Sequence, residues 1–222
     1  MASVASTPPA SAPETPGFPL PGEPAPYAVA ARELLRSSLF DAARHELARR
    51  RWHEVTMADI AAAAGVSRQT LYKEFGTRDE FARALVLREG DRFVAAVEGA
   101  MDAHLDDPTA ALLAAFGLFL TVAAADPLVR EAIAGADEML PLMTTKGQPL
   151  VERSTERLCD AILSRWPQVK SHDAALLAEC LVRLAISYAA LPAGPAGNTA
   201  SSIAELLGPY IERALQAASE QG

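Results

Sequence analysis

The chain has 222 residues, half of them hydrophobic, and a formal net charge of −8. That is enough apolar material for one small and one medium globular domain. Alanine and leucine dominate, β-branched residues are sparse, and no stretch alternates apolar and polar residues long enough to make a sheet, so an all-α fold is expected.

Residues 1–26 hold eight of the sixteen prolines and no Lys or Arg. Such a composition cannot bury enough apolar surface to offset ordering, and it predicts a disordered, solvated arm. It lacks the basic start and apolar centre of a signal peptide, which leaves a cytoplasmic location as the expectation. A first helix is predicted from Tyr27 to Arg51, with Ala31, Leu34, Leu35, Leu39, Ala42, Ala43 and Leu47 at helical spacing. Its end, Arg49-Arg50-Arg51, suits either contact with phosphates or the negative end of the helix dipole.

Residues 52–81 read as two short helices joined by a glycine turn, then the start of a third. Thr56 can cap a helix running to Ala64, with Asp59 favouring the positive end of its dipole. Gly65 supplies a left-handed turn that is cheap only without a side-chain carbon. Ser67 caps the second helix, whose Leu71 and Phe75 face inward with Val66 and Ile60. At roughly 100° per residue the opposite side carries Gln69 and Lys73, flanked by Thr70 and Tyr72, with Arg68 near the start. Gln pairs with adenine, Arg with guanine and a Thr methyl with the thymine methyl, while Tyr and Lys hold phosphates. An amphipathic helix pair with a solvated outer face would show the same spacing, so the motif alone leaves both readings open.

The stretch closely resembles the N-terminal DNA-binding domain of the TetR family of bacterial transcriptional regulators. The resemblance rests on Thr56-Met-Ala-Asp-Ile-Ala, Ala64-Gly-Val-Ser, Thr70-Leu-Tyr-Lys-Glu-Phe and the helix start at Arg78 to Phe81, and it covers roughly residues 30–85. It implies a helix-turn-helix domain over 27–87 and a helical ligand-binding and dimerisation domain over 88–222. It implies that the DNA-binding residues are Thr56, Arg68, Gln69, Thr70, Tyr72, Lys73 and Arg78. Tyr72 matches a phosphate-contacting Tyr, and Arg78 stands where the family has a phosphate-contacting Lys. Ala58 stands where some members read bases with Arg, so the first helix of the pair becomes a support. Glu74 adds negative charge beside the DNA backbone and is expected to turn aside or pair with a nearby Arg. Charge supports the reading locally: residues 27–90 carry 11 Lys/Arg against 9 Asp/Glu, while residues 91–222 carry 9 against 17. A mildly basic head on an acidic body still orients on DNA.

A fourth helix is predicted from Arg78 to about Leu105; in the resembled family it is the lever between DNA and ligand. Further helices are predicted at 109–125, 127–134, 137–144, 149–166, 172–191 and 199–217, divided by proline-containing breaks. The apolar run 110–125 is short for a membrane span and flanked by aspartates, and is read as a buried helix. Phe93, Met101, Phe116, Phe119, Leu120, Met139, Met143, Leu158, Trp166 and Tyr188 suit a packed core. They equally suit a pocket for a small hydrophobic effector, the alternative that the resemblance raises. The last two helices are apolar on more than one face. Leu177, Leu181, Leu184, Leu206, Tyr210 and Ile211 are therefore candidates for a homodimer interface, which the resemblance also implies. A two-fold protein would read a near-palindromic double-stranded operator.

No nucleophile elbow, Gly-rich phosphate loop or HExxH pattern occurs, and His45, His53, His104 and His172 are scattered. No enzyme activity, metal or cofactor is expected. His104 with Asp102, Asp106 and Asp107 reads as a solvated helix end, and Cys159 and Cys180 as small core residues. A helical small-molecule-binding or scaffold protein without operator binding is the alternative function, and a helical enzyme, disfavoured by the missing catalytic groups, is a further one.

Overall fold

Capping residues and prolines place the helix boundaries. In the computed structural model, which describes residues 26–129 and 147–219, eight α-helices follow one another: α1 (Tyr27–Leu47), α2 (Met57–Ala63), α3 (Arg68–Phe75), α4 (Arg78–Asp102), α5 (Pro108–Ala125), α6 (Gln148–Arg165), α7 (Ser171–Ala190) and α8 (Ala196–Ser219). A single 3-10 turn, Trp52–Glu54, lies between α1 and α2, and no strand occurs among the described residues. The predicted helices at 127–134 and 137–144 lie outside the described residues except for Pro127, Leu128 and Val129, as do Met139, Met143 and all but the last residue of the proline-rich arm.

Several helix ends differ from the expected bounds, the last helix spanning Ala196–Ser219 rather than 199–217, and two of them bear on local contacts. α1 stops at Leu47 rather than Arg51, because the amides of Arg49 and Arg50 both turn back to the Glu46 carbonyl. Arg50 is tied to Glu46 and lies 3.6 Å from Asp59, so the Arg triplet is not one free phosphate-facing cluster. α4 stops at Asp102, whose carboxylate pairs with Arg165 at 2.8 Å. Asp107 caps α5 through the Ala110 amide at 2.9 Å, so two of the aspartates around His104 serve local structure.

The chain builds two cores. Leu39, Phe40, Ala43 and Leu47 of α1 close over Ile60, Leu71 and Phe75 of the helix pair and over Phe81, Leu85 and Val86 of α4. Leu34, expected to pack, is 72% exposed, since the first turns of α1 project beyond this core. The second core gathers Met101, Phe116 and Leu120 with Leu158, Ile162, Trp166, Leu181, Ile203 and Ile211. α5 runs through it, packed against α4, α7 and α8. α5 is also the one described helix long and apolar enough to cross a membrane, but Ala111, Leu112, Ala115, Phe116, Leu120 and Ala123 bury one side of it.

α6 lies along α4. Arg153, Arg157 and Arg165 reach Asp91, Glu98 and Asp102 at 2.7 to 2.8 Å. Exposed pairs of this kind each contribute little, so their effect is chiefly to fix the alignment of the two helices. Close approach is possible because Gly90 faces Leu150: a Cβ there would collide with a Leu150 methyl.

Candidate nucleic-acid interface and interior cavities

The helix pair is built from reciprocal caps. The Thr56 amide donates to Asp59 Oδ2 at 2.8 Å and the Asp59 amide donates to Thr56 Oγ1 at 3.2 Å, a capping box that starts α2. The Thr56 amide and then the Thr56 hydroxyl, both donating to it, hold the Asp59 carboxyl below its ordinary range. Gly65 takes φ +70°, and the Val66 amide closes the turn onto the Ala61 carbonyl at 2.9 Å. Ser67 Oγ then accepts from the Thr70 amide at 3.0 Å and starts α3. A second capping box, Thr77 with Glu80, starts α4.

α3 turns Leu71 and Phe75 into the core and leaves Arg68, Gln69, Tyr72 and Lys73 exposed. The Arg68 guanidinium sits over the Tyr72 ring, 5.2 Å from its centroid, with Nη2 3.4 Å from the hydroxyl. The two exposed side chains are thus held together. Thr70 is half-buried and its hydroxyl meets Ser67 Oγ at 2.8 Å, leaving its methyl as the contact group. The Thr56 hydroxyl donates to Asp59 at 2.7 Å at the start of α2.

Glu74 is drawn off this face. Its carboxylate accepts from Arg32 at 2.9 Å and from Arg36 at 2.8 Å, both on α1. Burial raises its carboxyl, but the two arginines outweigh that and leave it below the ordinary value. The sequence expectation of a nearby Arg partner is met twice over.

Arg78 is engaged within the protein. Its guanidinium stacks over Trp52 at 4.5 Å and donates to the carbonyls of Trp52 and Val55 at 2.5 and 3.4 Å. The position at the start of α4 was legible, but the side chain turns back to fasten the loop between α1 and α2 instead of standing out toward a phosphate.

Among the described residues, two apolar cavities lie in the helical body. The first, about 90 Å³, is lined by Met101, Phe116, Phe119, Leu158, Ile162, Trp166, Leu177, Leu181, Tyr210 and Ile211, among others. The second, about 110 Å³, lies beside α4 against Glu89, Phe93, Val129, Leu150 and Ser154. Val97, Phe119 and Leu158 line both and form the wall between them. Phe119 meets Phe93 edge-on at 5.2 Å. Leu120 and Tyr188 line neither; they border a separate recess of about 70 Å³ near Pro192. Few polar groups enter these spaces. In the first cavity Tyr210 donates to Asp173 at 2.8 Å, and in the second Glu89 and Ser154 are the polar lining.

Residues 39–85 match the model of the bacterial regulatory proteins of the tetR family, and residues 107–209 match that of the bacterial tetracyclin repressor C-terminal domain. The chain belongs to the TetR family. It is 40% identical over 190 residues to the HTH-type transcriptional regulator AlkX of Mycobacterium tuberculosis, covering 85% of this chain and 90% of that protein. The crystal structure of the TetR family repressor AlkX from Dietzia sp. strain DQ12-45-1b superposes with a TM-score of 0.74 at 35% identity, covering 81% of this chain and 96% of that one. The fatty acid degradation regulator FadR from Bacillus halodurans shares the fold, with a TM-score of 0.52 at 18% identity over 78% of this chain and 93% of that one. The relatives are transcriptional regulators and not enzymes, and this chain is a TetR-family transcriptional regulator.

Within that family frame the candidate dimer residues divide. Leu177, Leu181, Tyr210 and Ile211 line the first cavity, because α7 and α8 turn those faces toward α5 and α6. Leu184 is half-buried against the same core. Leu206 is 70% exposed, and Leu176, which the spacing of α7 did not separate from its neighbours, is 50% exposed.

Proposed function

We propose that this TetR-family regulator is a repressor that binds a near-palindromic operator as a homodimer and is released by a small hydrophobic effector. The observation that carries the reading is α3: an eight-residue helix, capped at its start, with Gln69, Lys73 and the stacked Arg68–Tyr72 pair on its open side. Gln69 and Arg68 are the base readers of this set, Tyr72 and Lys73 hold phosphates, and Thr70 offers its methyl. A second copy, joined across the exposed Leu176 and Leu206, supplies the second recognition helix that a two-fold operator needs.

The lining supports a hydrophobic effector. Both cavities are apolar, and each is smaller than the roughly 150 Å³ that accommodates a benzene. A ligand of useful size must therefore span both, which favours a narrow apolar chain threading past Phe119. The Dietzia AlkX relative is described as implicated in biodegradation of n-alkanes, a chemistry in keeping with such a chain. Phe119→Ala is expected to join the two cavities and strengthen binding of 1-decanol at least tenfold by titration calorimetry, about the worth of one removed obstruction of a few carbons. Unchanged affinity would mean that the chain does not pass this wall.

The DNA reading is tested by selecting duplexes from a random pool with the full-length protein. A near-palindrome should emerge. Gln69→Ala should relax preference at one base pair in each half-site by about 1 to 3 kcal/mol while binding to random duplex stays within a factor of about two. Equal loss on every sequence would remove Gln69 from base reading, and failure to enrich any duplex at low salt would overturn the function.

A further inference from the structure

Leu128 belongs by sequence to the body and by packing to the head. It follows α5, yet it is fully buried in the core formed by α1, the helix pair and the start of α4. Its neighbours in the chain are held just as firmly. Asp126 is buried, and its Oδ1 accepts from the amides of Leu128 and Val129 at 2.8 and 3.2 Å. Its other oxygen, Oδ2, accepts from Arg44 of α1 at 2.8 Å. Val129 lines the cavity beside α4.

Arg44 also grips Glu89 of α4, which is 3% exposed and lines the same cavity. Burial pushes the Glu89 carboxyl above its usual range, against the pull of Arg44 and of Arg92, which donates to it at 3.1 Å. Two buried carboxylates therefore share one guanidinium of the head. Asp126 cannot move far alone, since parting it from Arg44 leaves an uncompensated buried charge. Within four residues the chain thus touches the head's core through Leu128, the head's α1 through Asp126 and the wall of a cavity in the body through Val129.

We propose that Asp126–Val129 is a strap that carries occupancy of the cavity beside α4 to the DNA-binding head, with Arg44 as its receiving residue. The proposal rests on the reading of that cavity as an effector site and adds a route through α1 to the one along α4. A chain entering the cavity displaces Val129 and crowds Glu89. Asp126 and Leu128 move with Val129 because they share one hydrogen-bonded turn, and α1 is shifted through Arg44 and the Leu128 socket. Coupling then comes from an element with two arrangements, docked and displaced, that both sites bias.

The test uses a side chain as the occupant. Ser154 lines the cavity, and Ser154→Leu in the full-length protein fills part of it. Affinity for the selected duplex is expected to fall about tenfold, within the 5 to 150-fold range of allosteric couplings. In an Asp126→Asn or Leu128→Ala background the further loss from Ser154→Leu should be under about twofold, the two sites being no longer coupled. Asp126→Asn keeps an oxygen for the turn and loses the charge pair, so it answers the question should Leu128→Ala loosen the head. Amide hydrogen exchange across α1, which needs no DNA, should rise with Ser154→Leu only where the strap is intact. The same fold-loss in all backgrounds overturns the strap and leaves the effector reading standing. No loss and no exchange change in any background overturns both.

Discussion

Phe81→Ala is expected to lower stability by about 3 to 5 kcal/mol and to abolish duplex binding. Phe81 is fully buried, with its ring 4.9 Å from Phe75 and 5.6 Å from Phe40, and Phe40 and Phe75 are themselves 5.2 Å apart. The three rings tie together α1, α3 and α4. Each edge or tilted contact adds about 0.5 to 1.5 kcal/mol beyond its burial, so removal of the ring common to two of them costs at the upper part of the range for a large core side chain. Against the roughly 5 to 15 kcal/mol that holds a domain together, the loss is decisive. α3 has eight residues and cannot persist alone, since isolated helices under about 12 to 15 residues are marginal in water. The recognition face therefore disappears with the core behind it. Chemical denaturation and duplex retention check both parts. Phe81→Leu, which keeps most of the volume, should cost about 1 to 2 kcal/mol and retain binding. A Phe81→Ala midpoint equal to that of the parent would show that the ring cluster is not what holds the head.

The same geometry explains what the sequence could reveal. The helix pair was legible because its determinants are local: Thr56 with Asp59, Gly65, Ser67 with Thr70, and Thr77 with Glu80 all act within a few residues. The outward face of α3 follows from the same short-range period. Residues whose roles depend on distant partners were less legible. Arg78 reaches Trp52 and Val55, Arg44 reaches Glu89 and Asp126, and no spacing announces either arrangement. Periodicity also shows that a helix is apolar without saying what covers each face. That is why Leu177, Leu181, Tyr210 and Ile211 suited a dimer seam in the sequence and line a cavity in the fold. Leu128 is the extreme case, since its core lies in the other half of the chain.

Arg78→Ala is expected to weaken DNA binding by destabilising the head, not by removing a phosphate contact. The guanidinium donates to two backbone carbonyls of the loop that positions α2, and its plane covers Trp52, which is 2% exposed. A hydrogen bond from a charged donor contributes about 1.5 to 3 kcal/mol, and stacking over an aromatic face about 0.5 to 1 kcal/mol. Since the longer of the two bonds is weak, a loss of about 2 to 3 kcal/mol is the reasonable expectation. The affinity for selected and random duplex should fall together, as it would for a lost phosphate contact. Salt dependence separates the two causes. Removing a phosphate contact lowers the slope of log affinity against log salt by about 1, whereas loss of a loop anchor leaves that slope unchanged among the molecules that remain folded. Arg78→Lys sharpens the distinction, because an ammonium keeps the charge and cannot reproduce a planar fork stacked on indole. The lysine variant should melt nearly as low as the alanine variant. If it melts like the parent, and Arg78→Ala reduces the salt slope without altering stability, then in the complex Arg78 leaves Trp52 for the DNA backbone, and the loop between α1 and α2 is held by its remaining contacts alone.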